Sequence, residues 1–361
     1  MKILGIETSC DETAAAVIVG EKDRVILKSS VLATSLALHA KTGGIIPEQA
    51  AREQAKFILP VIKETLNKAL DTHDTLDALQ KIDAIAVTYG PGLIGSLLVG
   101  VETAKTLAYV LNKPLVPVNH MVGHIYANFI GTNTNIVPNP SSLVPQFPLL
   151  SLVVSGGHTD LLLMKHHGNF NLLGGTRDDA AGEAFDKIGR MLGLSYPAGP
   201  EIERLAQSGD PNRFRFPRPL LHENTYEFSF SGLKTAVLRE VTQLTNQKKL
   251  DARRLTLDAQ TTADLARAAQ DAIIEVLVKK TLRATQEYSV KSILISGGVA
   301  ANQTLREQFE VNAKRLSLDA EIFAPQRSLC TDNAAMIASA AYFNFNPLPW
   351  QDITADPELY F

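Results

Sequence analysis

Two histidines, His120 and His124, lie four residues apart directly after an apolar run at residues 114–119. At this spacing on a helix, both imidazoles lie on one face with Cβ atoms roughly 5–6 Å apart, so they can reach the same ion. The pair is an incomplete metal site, because it still needs an oxygen or sulfur ligand from another segment. Helix capping and core packing produce the same spacing, so the pair alone leaves these alternatives open.

Acidic segments could supply the missing ligand or transfer a proton. Residues 7–13 (Glu-Thr-Ser-Cys-Asp-Glu-Thr) bring three carboxylates into one turn, which suits a metal, a phosphate-bound cation or proton transfer, or else a solvated turn. In residues 178–187, the carboxylates of Asp179, Glu183 and Asp186 recur on one helix face, where one could accept ribose hydroxyls. Asp332 precedes the last predicted helix and could act as a helix cap, as a ligand, or as both.

Glycine-rich turns lie at the ends of three predicted strands, at residues 89–92, 154–158 and 295–302. Glycine lets backbone N–H groups approach a phosphate or a ribose closely. Two of the turns share the order Val/Ile-Ser-Gly-Gly, which predicts a nucleotide held in an α/β crevice. None of them matches the P-loop or the dinucleotide-binding fingerprint.

One basic segment is a candidate for contact with nucleic acid. Residues 213–218 (Arg-Phe-Arg-Phe-Pro-Arg) interleave arginines that could meet phosphates with phenylalanines that could stack on bases. Further basic pairs follow at residues 248–249 and 253–254. An ordinary amphipathic strand is the alternative.

The elements that would position these residues form two similar series. The first is predicted as strands 2–7, 14–19 and 24–33, helix 47–70, strand 82–88, helix 95–111, strand 115–118 and the histidine helix. The second is predicted as strands 149–154, 160–164 and 169–174, helices 180–192, 200–208 and 261–287, strand 292–295, helix 299–314, strand 320–324 and a helix from residue 332. Three strands followed by alternating helices and strands, twice over, predict a pair of α/β lobes with a ligand cleft between them.

Composition agrees with a two-lobed globular protein of the cytoplasm. The chain has 361 residues, more than a single core usually holds, and 45% of them are hydrophobic. The net charge of −3 excludes a surface that binds polyanions throughout. Glu7 comes too early for a signal peptide, no apolar run approaches the roughly 20 residues of a membrane span, and two distant cysteines suggest no disulfide framework.

Taken together, these segments resemble the tRNA threonylcarbamoyladenosine transferase family, called TsaD in bacteria. The resemblance covers nearly the whole chain, from the first strand to the final helix. The segments that carry it, in order, are residues 7–13, 43–48, 90–92, 120–124, 154–159, 178–187, 196–200, 228–234, 296–302 and 330–333.

The resemblance implies the two-lobed, actin- and hexokinase-like (ASKHA) α/β fold, with duplicated βββαβα lobes and a ligand cleft between them. Residues 1–118 are expected to form the N-terminal lobe, with a final helix at 333–361 packing back on it. Residues 119–332 are expected to form the C-terminal lobe, with a helical insertion at about 196–260.

The implied reaction transfers threonylcarbamoyl from threonylcarbamoyl-adenylate to the exocyclic N6 amine of the adenosine immediately 3′ of the anticodon, releasing AMP. The substrates are tRNAs that read ANN codons. The implied protein partners are a pseudo-enzyme paralogue (TsaB-like) and a small ATPase (TsaE-like), and no membrane is involved.

The resemblance also assigns site residues by motif. His120, His124 and Asp332 are expected to hold one divalent metal ion, iron(II) or alternatively zinc. The expected substrate-binding residues are Val153, Val154, Ser155, Gly156, Gly157, Asp186, Gly199, Glu203 and Asn302. Asp11 is the candidate for orienting or deprotonating the amine, and Lys234 for countering phosphate charge.

This chain departs from the family pattern at a few positions. The family commonly has Tyr in place of Thr42, His in place of Gln54, Gly in place of Ala198 and Asp in place of Glu203. The loop at residues 129–148 is longer than usual. None of these departures removes a metal ligand or a Gly-Gly turn.

Two rival functions use the same residues. A metal-dependent peptidase needs a general-base glutamate, as in His-Glu-x-x-His, but Met121 follows the first histidine here. A non-catalytic, actin-like nucleotide-binding scaffold is the other alternative, and such a scaffold would be expected to lack the histidine pair. The sequence therefore favours the transferase.

Overall fold

Two mixed β-sheets organise the protein in a computed structural model, which describes residues 1–35, 44–72, 74–131, 134–135, 144–247 and 257–361. The first sheet has the order β3-β2-β1-β4-β5. Its strands are β1 (Lys2–Glu7), β2 (Glu12–Glu21), β3 (Arg24–Thr34), β4 (Ala84–Gly90) and β5 (Leu115–Asn119). The first three strands form an antiparallel meander, and β1, β4 and β5 run parallel.

The second sheet repeats this topology. Its order is β6-β11-β10-β7-β8-β9, with β7, β8 and β9 as the meander and β7, β10 and β11 parallel. Its strands are β6 (Thr134–Asn135), β7 (Leu149–Val154), β8 (Thr159–Met164), β9 (Phe170–Gly175), β10 (Ser292–Ser296) and β11 (Glu321–Ala324). The duplicated α/β arrangement predicted from the sequence is confirmed, with strand ends shifted by a few residues.

Helices connect the strands and pack on the sheets. They are α1 (Pro47–Leu70), α2 (Thr75–Gln80), α3 (Ile94–Leu111), α4 (His120–Tyr126), α5 (Ala181–Met191), α6 (Gly199–Ala206), α7 (Ser231–Gln247), α8 (Ala259–Tyr288), α9 (Gln303–Arg315) and α10 (Ala334–Phe343). Our prediction missed α2, a short helix capped by Asp74. Helix α7 was not predicted as a separate element, although it lies within the expected helical insertion at about 196–260. The predicted helix 299–314 is interrupted: a 3₁₀ turn, Gly298–Ala301, ends before Asn302 caps α9.

A shared core joins the two sheets. One buried apolar cluster contains side chains of both sheets, of α4 and of α10, among them Ile3, Val116, Leu149, Leu294, Ile125 and Ile337. The histidine helix α4 is therefore fixed between the sheets rather than on the surface. This burial gives its side chains little freedom to move.

The last helix crosses back to the first sheet. A Cβ atom at Gly5 would lie 2.3 Å from the carbonyl oxygen of Ala334, so only glycine allows β1 and α10 to approach so closely. The predicted final helix over residues 333–361 is wrong in its extent, because α10 ends at Phe343. Pro347 and Pro349 follow, and a proline inside a helix removes a backbone donor and clashes with the preceding turn.

Helix α3 is the one helix among the described residues that is long and apolar enough to cross a membrane, by length and composition only. A third of it is buried, and Leu97, Val101 and Ala104 on its inner face have no exposed surface. It packs on the first sheet beside α1, as a core helix does.

Candidate functional site

The histidine pair lies at the start of α4, directly after β5. The side chain of Asn119 caps this helix by accepting hydrogen bonds from the backbone nitrogens of Met121 and Val122. The capping interpretation of the histidines is therefore not needed, because Asn119 performs that role. The two imidazole rings lie with centroids 4.7 Å apart and nearly perpendicular planes.

Asp332 completes the cluster from the other end of the sequence. Its Oδ1 atom lies 3.4 Å from Nε2 of His120 and 3.3 Å from Nε2 of His124. The three ligand atoms lie within 4.8 Å of one another. Asn333, not Asp332, caps α10 by accepting from the backbone nitrogen of Met336, which leaves the Asp332 carboxylate to face the histidines.

The donor set fits a divalent metal ion. His124 is 1% exposed. Among the residues that the structure describes, its Nδ1 atom has no hydrogen-bond partner, and its Nε2 atom has only the contact with Asp332 at 3.3 Å, which lacks hydrogen-bond geometry. A buried imidazole without partners is costly unless something else satisfies it. Two imidazole nitrogens and one carboxylate oxygen suit zinc or iron(II), and three protein ligands leave further positions free for substrate.

Asp332 and His124 are in the ionisation states that metal ligands need, whereas His120 must release a proton to bind a metal. Burial opposes ionisation of Asp332, but the charge of His120 and the close contacts with both histidines together outweigh it and hold the pKa of Asp332 well below its usual range. Burial lowers the pKa of His124, and the charge of His120 adds to this effect, so His124 is neutral and can offer a lone pair. His120 lies between Asp332 and Glu7, whose carboxylates together outweigh its burial and raise its pKa.

The acidic turn at residues 8–12 carries Asp11 and contacts the histidine pair through Ser9, whose hydroxyl lies 3.1 Å from Nδ1 of His120. Burial raises the pKa of Cys10, and the charges of Asp332 and Asp11 raise it further. Gln54 on α1 binds this turn through its side-chain nitrogen, which donates to the carbonyl oxygens of Thr8, Cys10 and Glu12. The sequence identified Gln54 as a departure from the family pattern but did not predict that its side chain binds the acidic turn.

The predicted substrate residues form a continuous chain of contacts. Val153 and Val154 end β7, and the Gly182 nitrogen at the start of α5 donates to the Ser155 carbonyl oxygen at 3.1 Å. Asp186 Oδ1 on α5 accepts from the backbone nitrogen of Ala198 at 2.7 Å, directly before Gly199. Gly156, Gly157 and Gly199 face open space, because a Cβ at each would meet no heavy atom within 4 Å.

The other half of this chain of contacts comes from α6 and α9. Glu203 Oε1 on α6 accepts from the backbone nitrogen of Gln303 at 2.7 Å. Asn302 caps α9 by accepting from the Leu305 nitrogen and also donates to Gln270. Gly297 has a φ of 87° and packs on Val154, which returns the contacts to β7. The structure thus brings together the predicted substrate residues.

Two of the arginines that were predicted to contact nucleic acid form ion pairs with carboxylates of this protein instead. Arg213 pairs with the buried Asp264, and Arg218 with Glu275, both on α8. Phe216 between them is buried in the core and is not free to stack on a base. The segment is not a regular strand, and Arg215 is its one arginine that is exposed without an ion pair among the described residues. Residues 248–249 and 253–254 lie outside the described residues, as does Thr42.

Lys234 also differs from its predicted role. Its amino group lies 2.8 Å from Asp179 Oδ2, and Lys187 pairs with the other oxygen of the same carboxylate. Asp178 accepts from the backbone nitrogens of Phe230 and Ser231 at the start of α7. These two acids anchor α7 to the turn before α5, and Lys234 contributes to that anchor.

Known proteins with similar sequences share one activity. Residues 26–339 match the family described as TsaD, tRNA N6-adenosine threonylcarbamoyltransferase. The tRNA N6-adenosine threonylcarbamoyltransferase of Symbiobacterium thermophilum is 50% identical, covering 94% of this chain and 91% of its own. That of Moorella thermoacetica is 47% identical, covering 95% and 92%. The crystal structure of full-length HypF shares the fold, with a TM-score of 0.56 at 12% identity, covering 97% of this chain and 47% of that one.

Proposed function

We propose a role for each part of this site in the reaction of the tRNA N6-adenosine threonylcarbamoyltransferase family, to which this chain belongs. The chain transfers a threonylcarbamoyl group to the N6 amine of an adenosine in tRNA. The relatives' names favour this function over a metal-dependent peptidase and over a non-catalytic scaffold. The observation that carries the site assignment is the convergence of His120, His124 and Asp332. The histidine helix α4 packs on β7, the strand that leads into the glycine-rich turn at residues 154–158.

The donor in this proposal is threonylcarbamoyl-adenylate, a mixed anhydride whose good leaving group is AMP. The amine nitrogen attacks the carbamoyl carbon, the bond from that carbon to the phosphate oxygen breaks, and the amine loses a proton. The nucleophile is a weak aromatic amine, and the target base must leave its stack to be reached. Positioning and charge stabilisation are therefore the main tasks of the protein.

The residues divide these tasks. The open backbone of residues 155–157 accommodates the adenylate, and Asp186, Glu203 and Asn302 line the far side of its site. Asp11 orients the amine or accepts its proton. A divalent ion held by His120, His124 and Asp332 would supply a Lewis acid for substrate oxygens. We propose iron(II) as this ion, with zinc as the alternative.

Further assignments rest on the family resemblance. We propose that the target is the adenosine 3′ of the anticodon in tRNAs reading ANN codons, and that the protein works in the cytoplasm with a pseudo-enzyme paralogue and a small ATPase. The division into a lobe of residues 1–118 and a lobe of residues 119–332 is part of the same proposal. Residues 333–361 would belong to the first lobe, which agrees with the packing of α10 on β1.

The test supplies threonylcarbamoyl-adenylate and tRNA directly, with and without the two partner proteins, and detects modified adenosine by mass spectrometry. His124→Ala should abolish both product formation and stoichiometric metal binding. His222→Ala, which removes an exposed histidine outside the site, is the matched control and should keep both. Normal modification by His124→Ala would refute the metal assignment, and absence of product with wild-type protein and partners would refute the transfer.

A further inference from the structure

Glu7 contacts His120 through its side chain and takes no direct part in the proposed reaction. It is the last residue of β1 and has no exposed surface. Its Oε1 atom accepts a hydrogen bond from the backbone nitrogen of Ser9 at 2.5 Å. Its Oε2 atom accepts from the hydroxyl of Thr88 on the neighbouring strand β4, and it lies 3.1 Å from Nδ1 of His120. The carboxylate is thus fixed from two strands of the first sheet.

The contact with His120 has only one possible direction when Glu7 is ionised. Both oxygens of Glu7 accept hydrogen bonds, Oε1 from the backbone nitrogen of Ser9 and Oε2 from the hydroxyl of Thr88, as those of an ionised carboxylate do. A carboxylate has no hydrogen to donate, so Nδ1 of His120 must carry the proton and donate it. Nε2, on the opposite side of the ring, then points its lone pair towards Asp332 whenever the imidazole is neutral.

We propose that Glu7 is a positioning residue that fixes the tautomer and the ring direction of His120, so that Nε2 is the metal-binding nitrogen. The inference rests on the metal centre of the proposed function and adds a residue outside its ligand set. Carboxylates that accept from the second nitrogen of a ligating histidine orient the ring and increase its basicity. His124 has no such partner among the described residues, so the effect falls on His120 alone.

Glu7→Gln is the informative substitution, because the local donors dictate which way the amide turns. The backbone N–H of Ser9 can only donate, so the amide oxygen must occupy the Oε1 position. The amide NH₂ then faces Thr88 and His120. The hydroxyl of Thr88 can rotate to accept. Nδ1 of His120 also lies 3.1 Å from the hydroxyl of Ser9. In the variant Nδ1 either accepts from the amide, which places a hydrogen on Nε2, or keeps its proton for Ser9 and faces the repelling hydrogens of the amide. In both cases the acceptor that fixed the metal-binding tautomer is lost.

The experiment measures Zn²⁺ affinity by competition with a chelator, using the full chain. Glu7→Gln should bind Zn²⁺ about 10- to 100-fold more weakly than wild type. Asp264→Asn is the matched control: this buried acid also accepts from a backbone nitrogen, that of Asp210, but lies away from the ligands, and its Zn²⁺ affinity should not change. Equal affinity of Glu7→Gln and wild type would overturn the inference.

A second measurement does not depend on how the variant folds. In Zn²⁺-loaded wild type with ¹⁵N-labelled histidine, His120 should show a protonated Nδ1 and a metal-bound Nε2; the opposite pattern would overturn the inference. A failure of the proposed metal centre looks different: wild type and His124→Ala would then bind Zn²⁺ equally, or not at all. The positioning role of Glu7 fails only if wild type binds Zn²⁺ at this site and Glu7→Gln binds it equally well, so the two failures are distinguishable.

Discussion

The side chain of Gln54 binds the backbone carbonyl groups of the residues on both sides of Asp11. Its side-chain nitrogen lies 3.1 Å from the carbonyl oxygen of Cys10 and 2.8 Å from that of Glu12. Gln54 is 1% exposed, so bulk water does not compete for these bonds. The conformation of the turn that carries the candidate catalytic carboxylate therefore depends on one amide from α1.

Gln54→Met should reduce the transfer rate without removing the metal. Methionine fills a similar volume but donates nothing, so the turn loses its support and Asp11 loses its fixed position. We expect kcat to fall about tenfold, as a small displacement of a positioned group does, with Zn²⁺ affinity unchanged. Gln54→His, which installs the residue common in the family and keeps a donor, should recover most of the rate. A Met variant with full kcat would show that the turn holds its shape unaided.

Asp11→Asn tests the candidate base directly. The amide keeps the size of the side chain but cannot accept a proton from the amine, and general-base catalysis typically contributes about 10²- to 10⁴-fold. We expect single-turnover transfer to fall within that range while stoichiometric metal binding persists, since Asp11 is not a ligand. Glu64→Gln, at an exposed acid of α1, serves as the control. A loss of less than threefold, as an order-of-magnitude limit, would remove Asp11 from proton transfer.

Glu203 offers a test of the substrate site. Its carboxylate binds the first amide of α9 beside Asn302, a contact that the shorter aspartate cannot make unless α6 moves. Glu203→Asp should therefore lower the free energy of unfolding by about 0.5–1.5 kcal/mol, the worth of one hydrogen bond, while the KM for the adenylate stays near that of wild type. Glu203→Ala should lower the free energy of unfolding and also raise the KM for the adenylate. An unchanged KM in the alanine variant would place Glu203 outside the substrate site.

How far the sequence predicted the site depended on the distance between partners along the chain. The histidine pair was recognisable because both ligands lie on one helical turn, and Asp332 was added by the family resemblance. The role of Glu7 was missed, because its contact with His120 spans 113 residues and exists only through the pairing of β1 with β4. The ion pairs of Arg213 and Arg218 were missed for the same reason, since their partners Asp264 and Glu275 lie on a later helix.

Glu12 gives the protein a pH-dependent stability with a defined sign. Burial raises its pKa from the ordinary 4.5 to about 7. Because the folded-state pKa is the higher one, the contribution of Glu12 is fully present below pH 4.5 and is lost as the pH rises through about 7. Glu12→Gln mimics the protonated form, so its unfolding free energy should match that of wild type near about pH 4 and exceed it at about pH 8. Urea denaturation at both pH values measures this difference, and a constant difference would contradict it.

Arg306 connects the glycine turn before α9 to the loop that carries Asp332. Its guanidinium is buried and donates to the carbonyl oxygens of Ala300 and Pro325, at 2.6 and 2.8 Å, and lies 3.2 Å from the sulfur of Cys330. Lysine cannot replace Arg306 here, because all the hydrogens of an ammonium group lie on one nitrogen, whereas the guanidinium donates from separate nitrogens in a planar arrangement. Arg306 therefore holds the glycine turn before α9 and the loop that carries Asp332 in one arrangement.

Arg306→Met should loosen both segments at once. Unsatisfied buried carbonyls cost about 1–3 kcal/mol, which urea denaturation can detect. The loosened loop should also expose the thiol of Cys330, which has no exposed surface in the intact protein, so its alkylation should accelerate relative to that of Cys10. Zn²⁺ affinity should fall in parallel, because Asp332 lies two residues beyond Cys330. Arg204→Met, at an exposed arginine of α6, should change none of these. Faster alkylation with unaltered Zn²⁺ affinity would show that Asp332 is positioned independently of Arg306.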